Sequence, residues 1–270
     1  MHTQRRVARG AGEMKNAKKE GIMKNTVIVV TGASSGIGEA VAVMAASRGA
    51  SVAVISRRED VLQQLASRCG AKAVAVGADM TDRAAVKRAV AAVVGKYGHI
   101  DVWINNAGQG ITRMPSELTA EDIDTMMTAN VKTALFGMQE VLPHFKERNA
   151  GHIINISSML GRIPYALPRS AYNGAKHFLN SLTANFRMEY AESHPGILFS
   201  LVSPGVVATN FGLNARHGGV DSRTMPDPQT PEAVAEVILS VITRRRPDVY
   251  TRPGSRERVL EYYGSLGENP

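Results

Sequence analysis

A tyrosine and a lysine one helical turn apart, Tyr172 and Lys176, carry the most distinctive chemistry in the chain. They stand in Tyr172-Asn173-Gly174-Ala175-Lys176, where an i, i+4 spacing on a helix puts both side chains on one face. Of the seven tyrosines, Tyr172 alone is followed by a lysine at that spacing. A free phenol ionises near pH ~10 and is a poor acid-base at neutral pH, but a nearby ammonium stabilises the phenolate and lowers that value. In isolation the pair reads more readily as an exposed aromatic beside an exposed lysine. Ser158, at the end of the apolar run 153–157, adds a hydroxyl that can donate a hydrogen bond to a substrate carbonyl oxygen as charge builds on it. It can equally cap a turn.

The second feature suits a phosphate. Thr31-Gly32-Ala33-Ser34-Ser35-Gly36-Ile37-Gly38 joins the apolar run 27–30 to a segment with apolar residues at helical spacing. A strand that turns through glycines into a helix brings several backbone N–H groups and the positive helix end to one point. Gly32 permits the tight turn, while Gly36 and Gly38 remove the Cβ atoms that would hold a pyrophosphate and the next strand at a distance. Three glycines also suit an ordinary loop, and only the strand before and the helix after favour the cofactor reading.

The end of the second apolar run addresses the choice of cofactor. In NAD-selective sites an acid roughly 20 residues past the glycines bonds the adenosine ribose, whereas a 2′-phosphate calls for a small residue and an arginine. This chain has Ser56-Arg57-Arg58 there. NADP(H) is the expected cofactor, and Glu59 and Asp60 just beyond keep NAD(H) open.

These groups need a frame. Apolar runs at 27–30, 51–55, 73–76, 102–105, 153–157 and 198–202 alternate with helical patterns, followed by a helix at 231–244 and a short strand at 249–250. The alternation predicts an α/β fold, a Rossmann-like doubly wound parallel sheet with helices on both faces, three layers in a single domain. Ligands bind beyond the carboxyl ends of such strands, which is where the candidates fall.

With Thr31 in front, the glycine octet resembles the cofactor loop of the short-chain dehydrogenase/reductase family, and further motifs follow in that family's order over about residues 24–250. The resemblance implies that Ser34, Ser35 and Ile37 join the glycines at the cofactor. It puts Asp79 at the adenine amino group with the backbone of Met80 beside it; Asp82 is the better placed helix cap. Asn105-Asn106-Ala107-Gly108 matches the N-N-A-G signature, with Asn106 bracing a strand end and Ala107 and Gly108 leaving room for ribose. Asn130 would bend its helix and hold Lys176 through a water. Pro204-Gly205-Val206-Val207-Ala208-Thr209 matches P-G-x-x-x-T, which implies that the Val207 backbone meets the nicotinamide and that Thr209 contacts the pyrophosphate.

Ser158 would polarise the reacting oxygen, Tyr172 would move its proton, and Lys176 would depress the Tyr172 pKa and hold the nicotinamide ribose. The step from Ser158 to Tyr172 is one residue longer than the family's usual spacing, with Pro164 and Pro168 in a loop able to absorb it. The implied activity interconverts a ketone or aldehyde and an alcohol. A catalytically silent nucleotide-binding scaffold is the alternative on the same fold. No metal is expected. A homodimer or homotetramer is implied, through helices around 122–145 and 172–193.

Composition narrows the remainder. The 270 residues carry a net charge of +8, but residues 1–24 alone hold +5, leaving +3 for the body. Residues 1–23 are expected to be a basic tail and residues 24–270 the NADP-binding domain, with no nucleic-acid partner. No apolar stretch is long enough to span a bilayer, and the single cysteine, Cys69, makes no internal disulfide. A cytoplasmic location is expected. Residues 210–229 have the composition of a substrate loop. Met159, Leu160, Tyr165, Phe211 and Leu213 are candidates for an apolar pocket. Arg162, Arg169 and Arg216 are candidates for an anionic substrate group, or for surface.

Overall fold

The computed structural model describes residues 23–267, so the expected tail at 1–22 lies outside the described residues. Met23, counted above with that tail, is instead a core residue: it is buried, and its N–H donates to the Arg48 carbonyl at 3.1 Å. The folded part therefore reaches at least one residue further back than its sequence boundary.

Seven strands form one parallel sheet: β1 (Val27–Thr31), β2 (Ser51–Ser56), β3 (Ala73–Gly77), β4 (Val102–Asn105), β5 (Gly151–Ile156), β6 (Ile197–Ser203) and β7 (Asp248–Tyr250). Their order is β3-β2-β1-β4-β5-β6-β7, every neighbouring pair parallel. Helices cover both faces, which is why the central strands are apolar on successive residues rather than alternating. Ile28, Val30 and Ile104 point into one core with α1 (Gly36–Ser47), α2 (Glu59–Cys69) and α7 (Pro231–Arg244). Val27, Val29 and Trp103 point into the other with α3 (Arg83–Tyr97), α5 (Thr133–Arg148) and α6 (Ser170–Ser193). Each fully buried Val or Ile contributes roughly 1.5–3 kcal/mol.

Several helix starts are written locally. The Asp82 side chain accepts from the Ala84 N–H at 2.9 Å, Thr230 accepts from Ala233 at 3.1 Å ahead of Pro231, and Thr119 and Asp122 form a reciprocal capping box on α4 (Ala120–Met127). Between α4 and α5 the chain makes a π-helical turn, Thr128–Lys132, at the point where a bend was expected from Asn130. The last helix, α8 (Ser255–Gly264), is unannounced by apolar periodicity: only Ser255 in it is buried.

The strand order reverses between β1 and β4, and there the two tips are stitched together. The Thr31 hydroxyl donates to the Ile104 carbonyl at 3.2 Å and accepts from the Asn106 N–H at 3.1 Å. The Asn106 amide donates to the carbonyls of Thr31 and Gly32, both at 3.1 Å. A crevice opens beyond these ends, as the topology requires.

Candidate active site

The glycine turn keeps its shape through close packing. Gly32 and Gly36 have φ of +62° and +60°, and a Cβ on Gly32 would lie 2.7 Å from the Ala107 Cα. On Gly38 it would lie 2.6 Å from the Asn106 amide nitrogen and 2.7 Å from the Gly32 carbonyl oxygen. Gly38 is thus a packing residue behind the turn, whereas Gly32, Ser34, Ser35, Gly36 and Ile37 line the crevice. Gly36 faces Thr209, whose methyl group would sit 3.0 Å from an added Cβ. Ser35 precedes α1 without a side-chain cap, leaving the first N–H groups of the helix for an anion.

At the tip of β2, Ser56, Arg57 and Arg58 line the crevice, and Glu59 and Asp60 do not. Glu59 instead packs over Gly77 at the end of β3. Arg58 reaches across to Ser34, donating to its hydroxyl at 2.8 Å and its carbonyl at 3.2 Å. Asp79 has one carboxylate oxygen in a turn with Thr81, accepting from its N–H at 2.9 Å and its hydroxyl at 2.8 Å. Partial burial pushes the Asp79 pKa up, but the Thr81 hydrogen bonds and the Arg57 charge outweigh it and hold the group below its usual range. Ala78 and Met80 flank it on the crevice wall.

In Asn105-Asn106-Ala107-Gly108, the Asn105 side chain belongs to a buried network, accepting from the Trp103 indole at 2.7 Å and donating to Asn155 at 2.8 Å. Ala107 and Gly108 face the crevice. A Cβ on Gly108 would lie 2.7 Å from the Asn130 amide oxygen and 3.6 Å from the Lys176 ammonium. Asn130 sits in the π-helical turn, donating to the Gln109 carbonyl at 2.9 Å and the Met126 carbonyl at 3.1 Å and accepting from the Gln109 N–H at 3.2 Å. Its side chain therefore grips the turn that passes beside Lys176.

The chemistry-bearing side chains converge at the end of β5. Ser158 caps a short 3-10 turn, Met159–Gly161, by accepting from the Leu160 N–H at 3.1 Å, which leaves its own proton to give. Ser157 points elsewhere and donates to Asn180. Tyr172 is buried on α6; desolvation pushes its pKa up to about 12, while Ser158 and Arg169 pull it down. Lys176 donates to the Ile156 carbonyl at 2.9 Å, lies 5.7 Å from the Tyr172 ring centroid, and is pushed by burial down to about 8. In this arrangement burial outweighs the lowering effects of Ser158 and Arg169 on Tyr172. Two 3-10 turns, Met159–Gly161 and Leu167–Arg169, lie between Ser158 and Tyr172, and the two side chains meet.

Pro204, Gly205, Val207 and Thr209 form the opposite wall. The loop after them is tethered: the Arg216 N–H donates to the Gly110 carbonyl at 2.9 Å, and buried Asp122 accepts from Arg113, Arg216 and His217, each at 2.8 Å. Phe211 packs edge-on against Tyr172, the ring centroids 5.6 Å apart. Sequence reasoning did not single out Asp122 or Thr112, since both owe their place to loop contacts remote in sequence. Together these walls enclose about 1200 Å³. Among the described residues no group of three or more His, Cys, Asp or Glu could hold a metal ion, and no helix is long and apolar enough to cross a membrane.

A doubly wound parallel sheet with a glycine-cradled helix start at its switch point defines a dinucleotide-binding α/β protein. Comparison with known proteins narrows the class: the family described as short chain dehydrogenase matches residues 26–218. An uncharacterized oxidoreductase of Staphylococcus epidermidis is 35% identical over 187 residues, covering 69% of this chain and 80% of that one. A short chain dehydrogenase/reductase from Burkholderia phymatum, solved with NAD, superposes with a TM-score of 0.81 at 23% identity, covering 92% of this chain and 98% of that one. The 3-ketoacyl-(acyl-carrier-protein) reductase of Brucella melitensis, solved with NADH, gives 0.76 at 26% identity over 85% and 98%. The chain belongs to the short-chain dehydrogenase/reductase family and is an oxidoreductase that uses a nicotinamide cofactor.

Proposed function

We propose that the protein is an NADP(H)-dependent reductase interconverting a ketone or aldehyde and the corresponding alcohol, with Tyr172 as its acid-base. The observation that carries this reading is the buried Tyr172 phenol, facing Ser158 with Lys176 one helical turn on. The residues present fit a dinucleotide: an uncapped helix start under Gly32 and Gly36 for the pyrophosphate, and two guanidinium groups at the β2 tip for a 2′-phosphate. When bound, the nicotinamide supplies a hydride to the carbonyl carbon or accepts one from the alcohol.

In the reducing direction Ser158 donates a hydrogen bond to the carbonyl oxygen and Tyr172 delivers the proton to it. Burial raises the pKa of this phenol and by itself opposes the transfer, so a positive charge beside the phenolate is needed to favour it. Lys176, anchored on Ile156, offers positive charge to the phenolate left behind and reaches the nicotinamide ribose. Asn130 positions Lys176 through the Gly108-Gln109 turn and a water. Ser34, Ser35, Gly36, Ile37 and Thr209 hold the pyrophosphate, Asp79 and Met80 the adenine, Ala107, Gly108, Pro204, Gly205 and Val207 the nicotinamide side. A homodimer or homotetramer is supported by Phe178 and Met188, which stand exposed on α6.

The test is Tyr172→Phe, followed by NADPH absorbance over a panel of ketones, aldehydes, quinones and steroids. Turnover is expected to fall by roughly 10²–10⁴-fold with nucleotide affinity retained. Undiminished turnover would remove Tyr172 from the proton path.

A further inference from the structure

Of the three arginines that sequence alone offers for an anionic substrate group, two are already engaged. Arg162 pairs with Asp248 at 2.6 Å, and Arg216 pairs with Glu121 at 2.7 Å and Asp122 at 2.8 Å. Arg169 differs. It lines the crevice three residues before Tyr172, and its Nη1 is buried without a hydrogen-bond partner. Burial lowers its pKa, the Tyr172 phenol acts in the other direction, and no carboxylate among the described residues contributes. A second buried donor, the Thr112 hydroxyl, is also unpartnered.

The two groups converge beneath the substrate loop. A Cβ added to Gly219 would lie 2.9 Å from the Thr112 hydroxyl and 3.0 Å from Arg169 Nη2, and one added to Gly110 would lie 2.7 Å from Nη1 and 3.0 Å from the Phe211 ring. The turn carrying Arg169 is itself held, since the Arg113 N–H donates to the Pro168 carbonyl at 2.9 Å. An unmade bond to a buried charged donor is costly, and a guanidinium fork is matched by a planar anion with two oxygens.

We propose that Arg169, with Thr112, binds a carboxylate on the substrate, so that this reductase acts on oxo acids and hydroxy acids. One guanidinium balances one negative charge; a phosphate dianion would leave a charge uncompensated beside Phe211. The proposal rests on the reductase reading above and names the substrate class for the same site.

The experiment compares matched acids and primary amides: pyruvate with pyruvamide, 4-oxopentanoate with 4-oxopentanamide, and 4-acetylbenzoate with 4-acetylbenzamide. Binding is measured by calorimetry with saturating oxidised cofactor, so that no turnover occurs, and kcat/KM is measured with the reduced cofactor. At least one acid is expected to bind about 10-fold or more tightly than its amide. Arg169→Met is expected to bring that ratio to within about threefold of unity, and Arg169→Lys to keep an intermediate preference because the charge survives without the fork. Tyr172→Phe should retain the preference in calorimetry, which separates the subsite from the catalytic reading. Amides bound as well as acids throughout the panel, or an acid preference unchanged in both Arg169 variants, would overturn the assignment.

Discussion

The ammonium of Lys176 lies 5.7 Å from the centroid of the Tyr172 ring, with both side chains buried. Burial dominates both, pushing Lys176 down to about 8 and Tyr172 up to about 12. An unfolded chain keeps the lysine proton to about 10.5, so from pH 8 to 10.5 the unfolded state binds more protons and stability rises with pH. For Tyr172 the sign is opposite: from pH 10 to 12 the folded state keeps a proton the unfolded state loses, and stability falls. Wild type should therefore gain roughly 1–3 kcal/mol over Lys176→Met between about pH 8 and pH 10, read by urea unfolding. Parallel pH curves for the two proteins would contradict this origin of the lysine shift.

Among the described residues Arg57 makes no hydrogen bond or ion pair, although its charge acts on Asp79, whereas Arg58 is shared with Ser34. Arg57→Ala should raise the NADPH KM about 10-fold or more while changing the NADH KM little. The NADPH KM of wild type should also climb with salt more steeply than that of the variant. Equal losses for both nucleotides would defeat the NADP assignment.

Gly38 lies outside the crevice wall, but a methyl group there meets the Asn106 amide at 2.6 Å and the Gly32 carbonyl oxygen at 2.7 Å. Gly38→Ala is expected to lower Tm and to weaken nucleotide binding together, because the displaced backbone is the phosphate cradle itself. Overpacking of this kind costs ~1–3 kcal/mol. A variant with normal Tm but lost binding would place Gly38 on the ligand instead.

The His217 hydrogen bond, followed by those of Arg113, the Thr119 N–H and Arg216, holds the Asp122 carboxyl far below its usual range against the opposing effect of burial. Such a group stabilises the fold above its unfolded pKa of 3.8 and loses that contribution as pH falls below it. Asp122→Asn should lower Tm at neutral pH, expose Arg216 and Arg223 to trypsin, and show a shallower loss of stability in acid. Trypsin resistance equal to wild type would mean that the loop is held by other contacts.

Much of this was written locally. The strands could be read because residues such as Val27-Ile28-Val29-Val30 are apolar in succession, as a sheet buried on both faces demands, and the start of α3 because Asp82 caps through a bond to a residue nearby in the chain. A bend at Asn130 was expected from the resemblance, but its π-helical form was hidden, since one extra residue per turn leaves no compositional trace. Helix α8 was hidden because it buries almost nothing.

The sequence by itself determined the doubly wound sheet, the glycine turn and the one-turn spacing of Tyr172 and Lys176, all properties of residues close together in the chain. Only the tertiary structure decided which of Arg162, Arg169 and Arg216 is left without an acid, that Glu59 turns away from the crevice, and that burial pushes the tyrosine pKa up and the lysine pKa down. Those outcomes depend on partners remote in sequence and on the exclusion of water, which local spacing does not encode.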